Sequence, residues 1–252
     1  MLGLCGPQGS GKSTLAAAIE RRLGEQGLRT ATLSLDDLYL PLEQRIRLGQ
    51  EFHPLLRTRG VPGTHDLTLG LDLFQALDFG TKFRLPRFDK ARDTRRPLDE
   101  WVETSGPLDI LIFEGWCVGA MPEGDRAMVH PINALEREEG PDGVWRRYAN
   151  ACLGASYQAL FKRLDALALL TPPGFDQIVI WRTEQEHALR RSSDYAGGGI
   201  SDPQIVRFVQ HFERLTRHIL HEMPQRADLV MRLDASRRVT EWSRRDLERS
   251  SL

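Results

Sequence analysis

The residues Gly6-Pro7-Gln8-Gly9-Ser10-Gly11-Lys12-Ser13-Thr14 have the types and spacing needed to hold a phosphate chain. They fit G-x-x-x-x-G-K-[ST], with Gly6, Gly11, Lys12 and Ser13 at the defining positions. Glycines let the backbone turn so that successive N–H groups converge on an anion. The helix that follows adds the positive end of its dipole at the same point. In that arrangement Lys12 reaches the β- and γ-phosphates of a nucleoside triphosphate, and the Ser13 hydroxyl ligates Mg²⁺. The flanks agree with this reading. Leu2-Gly3-Leu4-Cys5 predicts a short buried strand, and Leu15, Ile19 and Leu23 recur every four residues in a helix ending at Gly24 or Gly27.

A phosphate loop does not separate kinases from switches or motors, so the carboxylates matter next. "LSLDDLYLP" sets Asp36 and Asp37 just beyond the C-terminal end of a second strand, Thr30 to Leu35. In an open parallel sheet that edge is where ligands bind. A carboxylate there accepts the proton of an attacking hydroxyl or holds Mg²⁺; the alternative is a turn or helix cap. "DILIFE", Asp109 to Glu114, is an apolar run closed by an acid, with Glu114 positioned to contact Mg²⁺ or its water.

These side chains need a frame. Strands alternating with helices imply an α/β fold with a parallel sheet covered on both faces, here a three-layer sandwich around a mainly parallel five-stranded sheet. "HDLTLGLDLFQALDFG" predicts a helix, and "YANACLGASYQALFKRLDALALL" a long buried one. "QIVIW", Gln177 to Trp181, reads as the fourth strand, and "ADLVMRLD" as the fifth. Between them Ile205, Phe208, Phe212, Leu215 and Ile219 form a helical core stripe, with Asp202 as N-cap and Pro203 at N1. The short first strand suggests that the chain enters at the sheet edge, and the tail from Ser243 reads as frayed. One domain over 1–252 is expected, with a substrate-covering excursion at about 38–100 and a lid at about 183–202.

The 252 residues carry a formal net charge of −1, against a dedicated nucleic-acid binder, whose domain is usually strongly basic. Cys5, Cys117 and Cys152 form no CxxC and are odd in number, which argues for buried free thiols rather than zinc or disulfides. No apolar run approaches the roughly 20 residues of a membrane span, and no signal-peptide pattern precedes the loop, so a cytoplasmic protein with no membrane partner is expected.

"GPQGSGKST", "LDDLYL", "RGVPGTHD", "PRFDKA" and "FEGW", in this order, resemble the D-glycerate 3-kinase family, which belongs with the phosphoribulokinase, uridine kinase and pantothenate kinase group. The similarity continues through "NACLGASYQALFKRLDAL", "WRTEQEHALR" and "ISDPQIVRFVQHFERL", and so spans nearly the whole chain. The resemblance implies that Asp36 is the catalytic base and that Glu114 is the acid of the E-G motif; Asp37 is the substitute base, and Tyr39 is expected to pack beside the base. It implies that Arg59 to Asp66 closes over the acceptor, bringing Arg59, His65 and Asp66, and that "PRFDKA" adds Arg87, Asp89 and Lys90. His65 as a structural histidine and Asp66 as the cap of the next helix are equal alternatives. Asn150 matches a family position or is a buried amide tying two elements.

Six cations between Arg84 and Arg96 are opposed only by Asp89 and Asp93, a segment suited to an acceptor carboxylate. Here "ARDTRRP" lacks the glycines that relatives carry after the "DK". In the lid, Arg190 is preferred over Arg182 and Arg191 as the residue that folds onto the γ-phosphate, ahead of Gly197-Gly198-Gly199.

The expectation is therefore a kinase that uses ATP and Mg²⁺ to phosphorylate a small hydroxy acid, D-glycerate to 3-phosphoglycerate first. Lys12, Asp36 and Glu114 carry the chemistry, and residues Gly6 to Thr14 with Arg190 hold the nucleotide. The alternatives are a kinase for pantothenate or a nucleoside, and an ATP-binding regulator without robust transfer.

Overall fold

The computed structural model describes residues 1–104, 106–191 and 201–245. The expected glycine-rich part of the lid and the end of the tail lie outside them.

The chain alternates as its periodicity suggests. Strand β1 (Leu2–Cys5) feeds helix α1 (Lys12–Glu25), then β2 (Thr30–Ser34). An excursion follows: α2 (Leu42–Glu51), α3 (Leu67–Asp78), and four two-residue strands, β3 (Arg84–Leu85), β4 (Phe88–Asp89), β5 (Thr94–Arg95) and β6 (Val102–Glu103), paired as two small ribbons. The chain returns to the sheet as β7 (Ile110–Gly115) and continues through α4 (Ala134–Glu138), α5 (Val144–Gly154) and α6 (Ser156–Phe161). Next come β8 (Ala166–Thr171), α7 (Phe175–Arg191), α8 (Asp202–Glu222), β9 (Leu229–Leu233) and β10 (Val239–Arg244).

The sheet has six strands in the order β10-β9-β8-β1-β7-β2, one more than expected. Five run parallel, and β10 folds back antiparallel on β9. β1 is not at the edge: it pairs with β7 on one side and β8 on the other. Being short does not make a strand peripheral, because four residues buried on both faces by neighbours suffice.

Strand alternation sends successive side chains to opposite faces. Cys5, Leu33, Phe113 and Leu169 pack with Phe74 of α3, Leu153 of α5, Tyr157 of α6 and Phe212 of α8. Leu4, Ile112, Ala168 and Leu170 pack with Ala16 of α1 and Trp181 of α7. Helices thus cover both faces, and the fold is a three-layer α/β sandwich of the P-loop type.

Two expected elements exchange identities. "ALALLT" is the fourth parallel strand and not the end of a long helix; the helical part stops at Phe161. Leu and Ala favour helices, but a strand buried between β1 and β9 is chosen by packing rather than propensity. Conversely "QIVIW" lies in α7: Ile178 and Trp181, three apart, are buried, while Ile180 between them is half exposed. That is a helical and not a period-2 pattern. At the start of α8 the N-cap is Ser201, with Gln204 completing a capping box, so Asp202 and Pro203 each sit one position further in than expected. Ser243 and Arg244, expected to fray, belong to β10. Cys5 and Cys117 are buried free thiols, whereas Cys152 is only partly buried. No helix among the described residues is long and apolar enough to cross a membrane.

Candidate active site

Parallel register makes the site. Glu114 of β7 lies beside Leu4 of β1 and Ser34 of β2, so the loop after β1 and the turn after β2 open at one edge with Glu114 between them. A cleft of about 420 Å³ lies at that edge, and Gln8, Gly9, Lys12, Ser13, Asp36 and Glu114 contribute to its wall.

In the loop, Gly9 has φ +75°, where an L side chain is strained. A Cβ there would stand 2.6 Å from Cβ of Trp181, so α7 packs directly on the loop backbone. Arg237, in the β9–β10 turn, donates Nε–H to the Gly9 carbonyl at 2.7 Å, stacks over Trp181 at 5.2 Å and pairs with Glu184. No sequence signal pointed to Arg237, since its partner lies 228 residues away.

Ser13 Oγ donates to Glu114 Oε1 at 2.8 Å, and Lys12 Nζ stands 3.9 Å from Glu114 Oε2. Glu114 is 4% exposed, and its Oε2 finds no hydrogen-bond partner among the described residues. A buried carboxylate oxygen left open beside a P-loop hydroxyl fits Mg²⁺ or a water bound to it. Among the described residues no group of three or more His, Cys, Asp or Glu side chains is gathered for a metal. A Mg²⁺ held largely by phosphate oxygens and water does not need one.

The neighbours Asp36 and Asp37 have different jobs. Ser34 caps the 3₁₀ turn Leu35–Leu38 by accepting the Asp36 N–H at 3.3 Å, and Leu35 and Leu38 are fully buried. That anchoring turns Asp36 into the cleft, where Lys90 Nζ donates to its Oδ2 at 2.5 Å. Burial pushes the Asp36 carboxyl up, but the ammonium groups of Lys90 and Lys12 outweigh it and hold the carboxyl well below the usual range. Asp37 faces the excursion: it accepts the Phe88 N–H at 2.9 Å and pairs with Arg87 at 3.2 Å. Burial raises its pKa. Asp37 and Arg87, both expected at the substrate, are tied to one another outside the cleft wall.

The motif Arg59 to Asp66 divides similarly. Arg59 lines the cleft, bound to Asp93 at 2.5 Å and lying over the Phe88 ring. Gly60, φ +151°, lets Phe212 approach so closely that a Cβ would meet its ring at 2.5 Å. Tyr39 forms a β-bridge with His65 and stacks on it at 4.3 Å. Tyr39 lines the cleft; His65 stands behind it, with Nδ1 2.6 Å from Tyr157 Oη. Burial lowers the His65 pKa to about 3, so the ring is neutral. Asp66 caps α3 through the Leu69 N–H and pairs with Arg95. Asp89 caps its own turn, accepting from Ala91 and Arg92 N–H. His65, Asp66 and Asp89 therefore hold packing, capping and turn positions outside the cleft wall.

The basic segment proves to be a set of ties. Arg84 pairs with Glu103, Arg92 with Asp89, Arg95 with Asp66 and Arg96 with Glu100. Of its six cations only Lys90 reaches the cleft. Asn150 joins Glu123 by both amide ends, the structural alternative.

On the lid side, Arg190 lies 3.9 Å from Asp202, outside the cleft wall. The arginine of α7 that lines the cleft is Arg182, 2.9 Å from Glu186 and over the Phe208 ring at 5.4 Å. Phe208 and Phe212, expected as core alone, also line the cleft. Helical phase could have found Arg182, but only if "QIVIW" had been read as helix.

No protein-family model matches the sequence. The chain is 33% identical over 223 residues to the uncharacterized kinase mug58 of Schizosaccharomyces pombe, covering 84% of this chain and 78% of that one. It is 30% identical over 222 residues to the chloroplastic D-glycerate 3-kinase of Arabidopsis thaliana, covering 84% of this chain and, at 46%, about half of the relative's length. The solved D-glycerate 3-kinase of Cryptococcus neoformans var. grubii superposes with a TM-score of 0.76 at 26% identity, over 97% of this chain and 89% of that one. With this fold, this loop and these relatives, the chain belongs to the D-glycerate 3-kinase family of P-loop kinases.

Proposed function

We propose that this protein transfers the γ-phosphoryl group of ATP to the 3-hydroxyl of D-glycerate, as a single kinase domain acting in the cytoplasm. The observation that carries the reading is one cleft lined by Asp36 together with Lys12, Ser13 and Glu114 of the phosphate site and with the cations Arg59 and Lys90. The loop N–H groups and Lys12 hold the phosphates. Ser13 and Glu114 would hold Mg²⁺, which when bound neutralises charge on the β- and γ-oxygens. Asp36 takes the proton of the acceptor hydroxyl; the hydroxyl oxygen bonds the γ-phosphorus, and the bond to the ADP oxygen breaks. Arg59 and Lys90 receive the acceptor's carboxylate, which supports a hydroxy acid over a neutral nucleoside. Arg182 is the lid-side cation, in place of Arg190. The relatives called D-glycerate 3-kinase add support for this acceptor.

The test is ATP-dependent phosphorylation across hydroxy acids, pantothenate and nucleosides, with products identified by phosphorus NMR. The reading expects 3-phosphoglycerate as the dominant product. Preferred phosphorylation of pantothenate or a nucleoside would replace the acceptor, and ATP binding without transfer to any of them would make the protein a regulator.

A further inference from the structure

We propose that Lys90 is a specificity switch on the base: it masks Asp36 until an acceptor carboxylate draws it away. This deepens the kinase reading and rests on it for the identity of the acceptor.

The argument starts from the pairing at the cleft. Lys90 donates to Asp36 Oδ2 at 2.5 Å, so one of the two oxygens of the base is occupied by an ammonium and the charge of the whole carboxylate is partly neutralised. A carboxylate so paired is a weaker base, and its rate contribution falls with its basicity. The mask is movable. The Lys90 side chain is 58% exposed, comes from a turn 54 residues away, and has Asp36 as its hydrogen-bonded carboxylate partner among the described residues.

A second charge feature says what moves it. Asp93 is shared between Arg45, at 2.7 Å and 1% exposed, and Arg59, at 2.5 Å. Two guanidinium groups on one carboxylate leave a surplus positive charge near Lys90, and Arg59, which lines the same cleft, repels the Lys90 ammonium. A carboxylate entering there gains both Arg59 and Lys90. It exchanges the Lys90–Asp36 pair for a Lys90–acceptor pair and leaves Asp36 free to take the hydroxyl proton. A neutral alcohol gives Lys90 no reason to leave. Water is neutral too, so the mask also restrains ATP hydrolysis in the empty enzyme. Carboxylate recognition is thereby written into turnover and not only into binding.

Lys90→Met, Lys90→Arg and the double variant Asp36→Asn/Lys90→Met test this. ADP release is measured with D-glycerate, with glycerol, which keeps the hydroxyls but lacks the carboxylate, and with no acceptor. In Lys90→Met, turnover with glycerol and without acceptor is expected to rise about three- to tenfold as the base is unmasked, while kcat/KM for D-glycerate falls about 10- to 100-fold. Lys90→Arg keeps most of the discrimination, and the double variant loses the rise. If Lys90 were only a carboxylate contact or a structural tie, the D-glycerate value would fall while glycerol and acceptor-free turnover stayed flat or dropped; that result overturns the switch. Should D-glycerate not be an acceptor at all, the acceptor-free arm still decides: a rise that needs Asp36 supports the mask, and no rise removes it.

Discussion

Replacing each of the two adjacent aspartates by asparagine separates base from scaffold. Asp36→Asn keeps the side-chain shape and removes the proton acceptor from the cleft. A positioned general base contributes about 10²–10⁴ in rate, or about 2.7–5.5 kcal/mol of barrier. The kcat with saturating ATP and D-glycerate is expected to fall by that factor. Stability should hardly change, because the lost pair is with a largely exposed lysine and such pairs contribute about 0–1 kcal/mol. Affinity for a non-hydrolysable ATP analogue should stay within a few fold, since the loop and Lys12 are untouched.

Asp37→Asn behaves in the opposite way. Asp37 holds the Phe88 N–H and Arg87, and an amide keeps one acceptor but loses the charge. Hydrogen bonds involving charged groups contribute about 1.5–3 kcal/mol, so unfolding free energy should drop by about that amount while kcat stays within tenfold. Coupled ADP-release kinetics, calorimetric titration of the analogue and urea unfolding report the three quantities for both variants. A folded, ATP-binding Asp36→Asn retaining more than about a tenth of the parent kcat would refute the assignment. So would a larger kcat loss in Asp37→Asn.

Three further outcomes follow from the same geometry. Gly9→Ala forces an L residue to φ +75° and sets a Cβ 2.6 Å from Trp181, so ATP-analogue affinity should fall about tenfold or more. Gly27→Ala, at φ +82° with nothing within 4 Å of the new Cβ, should cost only about 1 kcal/mol of stability and leave that affinity alone, and calorimetry compares the two. Glu114→Gln retains an acceptor for Ser13 but removes the buried charge, so the Mg²⁺ concentration for half-maximal rate should rise about 10- to 100-fold, read from a metal titration of the initial rate. His65 is neutral in the fold with a pKa lowered to about 3, against about 6.5 unfolded, so between those values the unfolded chain alone binds the proton. The stability this contributes is present above about pH 6.5 and drains away at up to about 1.4 kcal/mol per unit as the pH falls toward 3; His65→Gln should flatten that slope in urea unfolding between pH 4.5 and 7.

The phosphate loop, the strand before it and the helix after it were legible in sequence because each depends on neighbours in the chain. Glycines set the turn, apolar spacing sets the helix, and an acid closing an apolar strand sets Glu114. The motif order from "GPQGSGKST" to "FEGW" likewise carried the family. Long-range packing decided the rest. "ALALLT" has helical residue types and becomes a central strand because β1 and β9 pair with it, while "QIVIW" has strand types and becomes the helix that packs Trp181 on Gly9. The resemblance preferred Asp36 over Asp37, but the physical reason lies in the fold, since adjacent identical side chains are sorted by which way buried Leu35 and Leu38 turn the backbone. The basic segment looked like a carboxylate trap by charge count alone; tertiary contacts engage Arg84, Arg87 and Arg95, carboxylates three or four residues away engage Arg92 and Arg96, and the fold brings Lys90 to Asp36 across 54 residues. Charge and local periodicity are properties of the chain, whereas the partner of a charge is a property of the space that the fold encloses.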